Sequence, residues 1–265
     1  MSQTKVLDVK KLTMDFGGLR ALNKVNIEIF EGEIVALIGP NGAGKTTFFN
    51  CVTGIYTPTA GDVFLGCREK KSIRINGIKP NRIAGLGMTR TFQNIRLFQN
   101  MTVLENVMIG RHIRTRSGIL NALFRPPGCV SEEKKILDDA YDLLEKVELA
   151  DWANEFAKNL PYGDQRRLEI ARAMATDPVL LLLDEPAAGM NPQETKELDR
   201  LIRKIRDKEG ITILLIEHDM KLVMNLSERI YVMDYGSRIA TGTPMEIKNN
   251  PAVIKAYLGE EVVDA

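Results

Sequence analysis

The feature that most constrains this chain is a glycine-rich turn, Gly39-Pro-Asn-Gly-Ala-Gly-Lys-Thr46, which fits the pattern G-x-x-x-x-G-K-[ST]. A dense apolar run, Glu33–Gly39, precedes it and is typical of a strand covered on both faces, and a helix is predicted from about Lys45. Consecutive backbone N–H groups can approach phosphate oxygens only where Cβ atoms are absent, as at Gly42 and Gly44. The turn therefore predicts a phosphate-binding loop.

The residue types within this loop suit a nucleotide. The N-terminus of the following helix carries partial positive charge, which favours anions. Lys45 is placed to reach the β- and γ-phosphates, and the Thr46 hydroxyl is placed to ligate Mg²⁺. An ordinary glycine-rich turn is the alternative interpretation, and the loop alone does not select a reaction. The residues expected to contact the nucleotide here are Gly39, Asn41, Gly42, Ala43, Gly44, Lys45, Thr46 and Thr47.

A second apolar strand, Val179–Leu183, ends in an acidic pair, Asp184 and Glu185. Ligands of open parallel sheets lie at the carboxyl ends of the strands, which is where this pair is delivered. Asp184 can hold Mg²⁺ directly or through water, and Glu185 is placed to polarise an attacking water molecule. Strand-ending Asp-Glu pairs are common by chance, so this interpretation depends on the phosphate loop.

Strands and helices alternate regularly after Asp164, which predicts a parallel sheet covered by helices on both faces. The middle of the chain is different, because helical spacing predicts helices over Thr102–His112 and Glu132–Val147. Between them, Arg114–Val130 contains glycine and proline breakers and is predicted to be a loop with at most a short helix. The expected fold class is therefore α/β.

Composition excludes several classes of protein. A length of 265 residues fits one large α/β domain or a core with a subdomain. Thirty-six basic and 35 acidic residues give a net charge of +1, so no global field recruits nucleic acid. The longest apolar stretches fall far short of the roughly 20 residues that span a bilayer. Without a secretory signal and with three scattered cysteines, the chain is expected to be cytosolic.

Directly before the acidic strand, the segment Leu160-Pro-Tyr-Gly-Asp164 is where the chain resembles the ATP-binding cassette (ABC) ATPases. The family motifs occur in order over essentially the whole chain. Gln93 resembles the Q-loop glutamine, Gly189–Pro192 the D-loop, and His218 the switch histidine. Phe16 lies where the family stacks an aromatic ring on adenine. The resemblance implies ATP and Mg²⁺ as cofactors.

The resemblance also implies an architecture. It is a P-loop NTPase core with a mixed or parallel sheet, an antiparallel β subdomain and an inserted α-helical subdomain. The expected boundaries are 1–92 for the β subdomain with the phosphate-loop part of the core, 93–162 for the helical subdomain with its insertion, 163–243 for the rest of the core, and 244–265 for a C-terminal helical tail.

The family's chemistry implies roles for particular side chains. Glu185 would activate the attacking water molecule, with Gln93 beside it, and His218 would contact the γ-phosphate. A soluble P-loop phosphotransferase would explain Lys45 but would not need His218. The implied Mg²⁺ ligands are Thr46, Gln93 and Asp184.

The segment at Leu160 implies a partner. Two cassettes of this family pair head to tail, so Tyr162, Gly163 and Asp164 are expected to contact the ATP held by a second ABC ATPase subunit, either identical or related and shorter. The segment departs from the usual family signature, Leu-Ser-Gly-Gly-Gln, at Pro161, Tyr162 and Asp164, and Asp164 would place negative charge near the triphosphate. Pro161 replaces a serine and has neither a hydroxyl nor a backbone N–H, and Asn191 replaces the D-loop aspartate.

Three segments narrow the resemblance to the ATPase subunits of bacterial branched-chain amino-acid importers, specifically the longer of their two ATPase types. They are Arg90–Phe98, Asp184–Pro192 and the tail from Ile247 to Gly259. This implies two transmembrane permease subunits, an indirectly coupled substrate-binding protein, and a position on the cytoplasmic face of the inner cell membrane. An ABC ATPase of another import or export system is the alternative.

Four apolar residues follow Gln93, where the family docks a cytoplasmic helix of its membrane subunit. They are expected to be exposed and to form that interface: Ile95, Leu97, Phe98 and Met101.

Overall fold

Two β-sheets and nine α-helices make up the part of the chain that the computed structural model describes, residues 4–66, 72–114 and 127–258. The strands are β1 Lys5–Phe16, β2 Leu19–Phe30, β3 Ile34–Ile38, β4 Ala60–Gly66, β5 Ser72–Arg74, β6 Met88–Arg90, β7 Leu180–Asp184, β8 Thr212–Ile216, β9 Arg229–Asp234 and β10 Ser237–Gly242. The helices are α1 Lys45–Val52, α2 Pro80–Leu86, α3 Val103–Arg111, α4 Pro127–Lys146, α5 Tyr162–Met174, α6 Pro192–Glu209, α7 Met220–Leu226, α8 Pro244–Lys248 and α9 Pro251–Leu258.

The larger sheet has six strands in the order β10-β9-β3-β8-β7-β6. All neighbouring strands are parallel except β9 and β10, which form an antiparallel hairpin. Every residue of β3, β7 and β8 is buried, because the sheet is covered on both faces. The predicted parallel sheet is confirmed, and its order places the carboxyl ends of β3, β8 and β7 side by side.

The smaller sheet is antiparallel, in the order β2-β1-β4-β5, and packs on one face of the larger one. The period-two alternation of β3 divides its side chains between two cores. Val35 and Leu37 face the core shared with the smaller sheet, whereas Ile34, Ala36 and Ile38 face the core beneath the helices. The phosphate loop after β3 and the acidic pair at the end of β7 are thus held between two well-packed layers.

The middle of the chain differs from its prediction. Helix α4 begins at Pro127, five residues before the predicted start at Glu132, so the predicted loop is wrong over Pro127–Val130. Proline fits the first turn of a helix, where its missing N–H is not needed, so here it marks a helix start rather than a loop. Arg114 ends a short 3₁₀ turn, and residues 115–126 of the predicted loop lie outside the described residues.

Among the helices of the described ranges, none combines the length and apolar character needed to cross a membrane.

Candidate functional site

The phosphate loop connects β3 to α1 and is fixed by close packing at two glycines. Gly39 has φ +153°, and a Cβ there would lie 2.1 Å from the carbonyl oxygen of Met233. Gly44 has φ +97°, and its Cβ would lie 2.7 Å from the carbonyl oxygen of Ala21. Neither position has room for a side chain, so β9 and β2 hold the loop in place from both sides.

Lys45 lies buried beneath its own loop. Its Nζ donates hydrogen bonds to the carbonyl oxygens of Gly39 at 2.6 Å and Pro40 at 3.0 Å. Burial lowers the pKa of Lys45, and the nearby carboxylates of Glu185 and Asp184 oppose that shift. The ammonium group is thus directed across the loop towards the acidic pair.

Asp184 ends β7 and is buried in an ion pair with Arg90, which ends the neighbouring strand β6. Arg90 also donates a 2.7 Å hydrogen bond to Asn50, and its guanidinium lies over the rings of Phe49 and Phe92 at 5.3 and 5.4 Å. Arg90 was not predicted as a site residue. Its place beside the acidic strand arises from the pairing of β6 with β7, so the sequence alone carried no signal for this contact.

Glu185 is the point at which three predicted catalytic residues meet. Its two carboxylate oxygens contact Gln93 Nε2 at 2.7 Å and His218 Nε2 at 3.2 Å. The backbone of Glu185 is left-handed, with φ +48°, and its N–H donates to the carbonyl oxygen of Ile216 at 2.9 Å. Such a backbone is strained for a residue other than glycine, and here it aims the carboxylate between Gln93 and His218.

Glu217, between β8 and His218, was not predicted either. Its buried carboxylate accepts hydrogen bonds from the N–H groups of Ala187 at 2.7 Å, His218 at 3.0 Å and Asp219 at 3.4 Å. Burial raises the pKa of Glu217, and these three N–H groups oppose the shift. Glu217 therefore joins the loop after Glu185 to the loop that carries His218. A charged residue directly after an apolar strand was its sequence signal.

These elements surround an open cleft of about 460 Å³. Phe16 lies at the edge of this cleft and is 41% exposed. Its ring meets that of Tyr56 in an edge-to-face contact, with the ring centroids 5.3 Å apart. Ten of the predicted site residues line this cleft: Phe16, Asn41, Gly42, Ala43, Gly44, Lys45, Thr46, Thr47, Glu185 and His218. Three others contact residues of the cleft or neighbouring groups: Gly39 accepts a hydrogen bond from Lys45, Asp184 pairs with Arg90, and Gln93 donates to Glu185.

The remaining predicted residues, Tyr162–Asp164, do not line this cleft. They begin helix α5, and Gly163 and Asp164 line a separate hollow of about 220 Å³. The hydroxyl of Tyr162 donates to the carbonyl oxygen of Ala188 at 2.9 Å, and a Cβ on Gly163 would lie 3.1 Å from a carboxylate oxygen of Glu194. The two clefts have no lining residue in common.

Asp164 would place negative charge beside a bound phosphate. In the structure its carboxylate lies 3.7 Å from Arg167, which also pairs with Glu197 and Glu148. One guanidinium thus offsets part of the charge of three carboxylates near the start of α5.

The apolar residues after Gln93 are less exposed than expected. Phe98 is 49% exposed, as predicted, but Ile95, Leu97 and Met101 are half-buried. Leu97 packs against the core beneath the helices, because the segment folds back on α3, where Asn106 holds Phe98 by 2.9 and 3.1 Å hydrogen bonds. The prediction of four exposed residues is therefore wrong for three of them.

Comparison with known proteins identifies the family. Residues 22–188 match the ABC transporter model, and residues 237–263 match a model described as branched-chain amino acid ATP-binding cassette transporter. The chain is 53% identical over 260 residues to the high-affinity branched-chain amino acid transport ATP-binding protein LivG of Escherichia coli K12, covering 98% of this chain and 100% of that protein.

Two solved structures are similar as well. One is the ADP conformation of MJ1267, an ATP-binding cassette of an ABC transporter, with TM-score 0.81 and 33% identity, covering 97% of this chain and 99% of that chain. The other is a dimeric post-hydrolysis state of the cassette MJ0796 bound to ADP and Pi, with TM-score 0.73 and 26% identity, covering 90% and 98%. The chain therefore belongs to the ABC transporter family and is one of its ATP-binding cassettes, with the ATPase activity characteristic of that family.

Proposed function

We propose that this cassette hydrolyses ATP to drive an importer of branched-chain amino acids. The observation that carries the proposal is the meeting of the phosphate loop, Glu185 and His218 around one cleft. The cargo is inferred from the near-full-length similarity to LivG and from the match of residues 237–263. Residues that contact the cargo would belong to other subunits of the transporter.

ATP would lie in the cleft with its adenine against Phe16 and its phosphates in the loop. Phe16 is exposed enough to offer a ring face, and Tyr56 supports it from the edge. Backbone N–H groups and the start of α1 would bind the phosphates. Lys45 would exchange its bonds to the Gly39 and Pro40 carbonyls for bonds to phosphate oxygens, so its ammonium remains satisfied throughout.

Mg²⁺ fits the oxygen donors at this place. The hydroxyl of Thr46, the carboxylate of Asp184 and the side-chain amide of Gln93 are the hard ligands that Mg²⁺ takes beside nucleotide phosphates. Bound there, the ion would neutralise charge on the phosphates. Arg90 holds Asp184 at the strand end by an ion pair, which orients the carboxylate before any ligand binds.

Glu185 would act as the general base. Its carboxylate takes a proton from the water molecule that attacks the γ-phosphate. Gln93 Nε2 and His218 Nε2 hold its two oxygens, so the base is oriented before the reaction. When ATP is bound, His218 would transfer its contact to the γ-phosphate and report whether that phosphate is present.

The working unit would contain two cassettes. The start of α5 and the phosphate loop lie in separate clefts of one chain, so each ATP would be bound by the loop of one cassette and the Gly163 region of the other. Pro161 offers no donor there, so Gly163 and the helix N-terminus would supply the contact. The second cassette would be identical or related, and two permease subunits would hold the pair at the cytoplasmic face of the inner cell membrane.

Uptake in cells tests the proposed cargo. In the source organism lacking this gene, high-affinity leucine, isoleucine and valine uptake is expected to be lost and to return with the wild-type gene but not with Glu185→Gln. Glu133→Gln, which removes an exposed carboxylate on α4, serves as the control and should restore uptake. Full uptake without the gene would refute the branched-chain assignment while leaving ATP hydrolysis to be measured on the purified chain.

A further inference from the structure

A buried arginine on α5 is bonded to the backbone beside Gln93. Arg166 is fully buried, and its guanidinium donates 2.8 Å hydrogen bonds to the carbonyl oxygens of both Phe92 and Gln93. Both carbonyls belong to an irregular segment that follows β6, Phe92–Arg96, which we call the Q-loop segment. Because the bonds involve backbone atoms, they fix where the segment runs whatever side chains it carries.

Glu169, one turn further along α5, completes the attachment. It is 2% exposed, pairs with Arg166 at 2.7 Å, and accepts hydrogen bonds from the N–H groups of Phe92 and Arg96, each at 3.4 Å. One ion pair thus contacts four backbone groups at both ends of the Q-loop segment. The side chain of Gln93 lies between these attachments and reaches Glu185.

The same helix contacts the other side of the acidic pair. Tyr162, four residues before Arg166, donates to the carbonyl oxygen of Ala188, and its ring lies within 3.5 Å of the Cβ position of Gly189. Its hydroxyl also accepts a 3.5 Å hydrogen bond from Arg166. Helix α5 therefore holds two segments of the site. One is the Q-loop segment, which carries Gln93, and the other is the loop that follows Glu185.

Stability does not account well for a buried arginine at this place. Replacing buried ion pairs with apolar residues is often neutral or stabilising, since desolvating the charges is costly. Within the described residues, the Nε donor of Arg166 has no hydrogen-bond partner, and burial raises the pKa of Glu169 against the effect of Arg166. What the pair provides is a directional attachment between α5 and the Q-loop segment.

We propose that Arg166 and Glu169 are positioning residues that make the contact between Gln93 and Glu185 depend on the position of helix α5. The proposal rests on the role of Gln93 given under the proposed function. A second cassette or a permease that displaces α5 would carry the Q-loop segment with it and withdraw Gln93. Hydrolysis would then respond to helix position without any change in the phosphate loop.

A double-mutant cycle on the purified chain tests this coupling. Arg166→Lys keeps the buried charge but loses the forked donors, and we expect kcat for ATP to fall about tenfold with KM unchanged. Gln93→Ala should lower kcat as well, and the double variant should match Gln93→Ala alone. Arg203→Lys is the control, because Arg203 joins Asp199 to the carbonyl oxygen of Asn225 in a similar way on α6; its kcat should equal that of the wild type. Independent losses that multiply in the double variant would overturn the proposal.

Hydrogen exchange separates this proposal from the role of Gln93 itself. In Arg166→Lys, the amides of Phe92 and Arg96 should exchange about tenfold faster, as expected when a local attachment weakens, while the amides of α1 exchange as before. Glu169→Gln should give the same pattern and serves if Arg166→Lys does not fold. Unchanged exchange in the folded variants would overturn the proposal, whereas normal turnover of Gln93→Ala would refute only the catalytic role of Gln93.

Discussion

Replacing Glu185 with glutamine is expected to lower ATP turnover by about 10²- to 10⁴-fold, the usual contribution of a general base. Glutamine has nearly the same shape, so its carbonyl oxygen can keep the contact with Gln93 Nε2, while its amide nitrogen takes the place of the oxygen beside His218 Nε2. It cannot accept a proton from water. ATP affinity should stay unchanged, because the phosphate loop is untouched. Steady-state ATPase assays, with nucleotide binding measured separately, check both parts.

Glu133→Gln is the matched control for this variant. It makes the same chemical change on the exposed face of α4 and should leave turnover at the wild-type value. If Glu185→Gln kept more than a tenth of wild-type turnover, the base would have to be sought elsewhere. The buried carboxylate of Glu217 accepts three hydrogen bonds from backbone N–H groups of the same loops. It would then be the first group to examine.

Replacing Lys45 with alanine is expected to weaken ATP binding by about 10²- to 10³-fold, since removing one partner of a desolvated charge pair costs several kcal/mol. The ammonium is buried and already aimed across the loop by the Gly39 and Pro40 carbonyls. Turnover at low ATP should fall at least as much, because the same group would stabilise the γ-phosphate during hydrolysis.

Lys196→Ala, on the exposed face of α6, controls for the loss of a positive charge and should bind ATP as the wild type does. Isothermal titration of both variants measures the difference, with thermal unfolding confirming that each is folded. Equal affinity of Lys45→Ala and Lys196→Ala would place the phosphates outside the Gly39–Thr46 loop and contradict the assigned cleft.

The residues at the carboxyl ends of β3, β7 and β8 could be predicted from sequence because they depend on local signals. A glycine-rich turn after one buried strand, an acidic pair after a second and a histidine after a third must meet if the strands are parallel neighbours. The order β3-β8-β7 makes them neighbours. The placement of Asp184 and Glu185 at this edge therefore follows from the pattern, whereas the role of His218 was predicted from the family resemblance.

The supporting residues could not be predicted in the same way. Arg90, Arg166 and Glu217 act through buried ion pairs and backbone hydrogen bonds to segments distant in sequence. Nothing in their local sequence specifies those partners. Their burial as charged residues is unusual, and burial is a property of the folded chain.

Local backbone irregularity interrupts the sequence pattern of strand β1 before the strand itself ends. The alternation of apolar residues in β1 stops after Val9, yet the strand continues to Phe16. The pairing with β2 shifts between Val9 and Leu12, where Lys11 has φ +48°. Such a bulge inserts a residue and resets the alternation, so a strict period of two ends before the strand does.

The most direct test of ATP-driven import is leucine accumulation in liposomes that contain the purified transporter with this chain as its cassette. With ATP and Mg²⁺ on the cassette side and the binding protein with leucine on the other, the wild-type complex is expected to accumulate leucine. The same complex with Glu185→Gln in this chain should match the value measured without ATP. Accumulation at the wild-type rate by the Glu185→Gln complex would contradict the account.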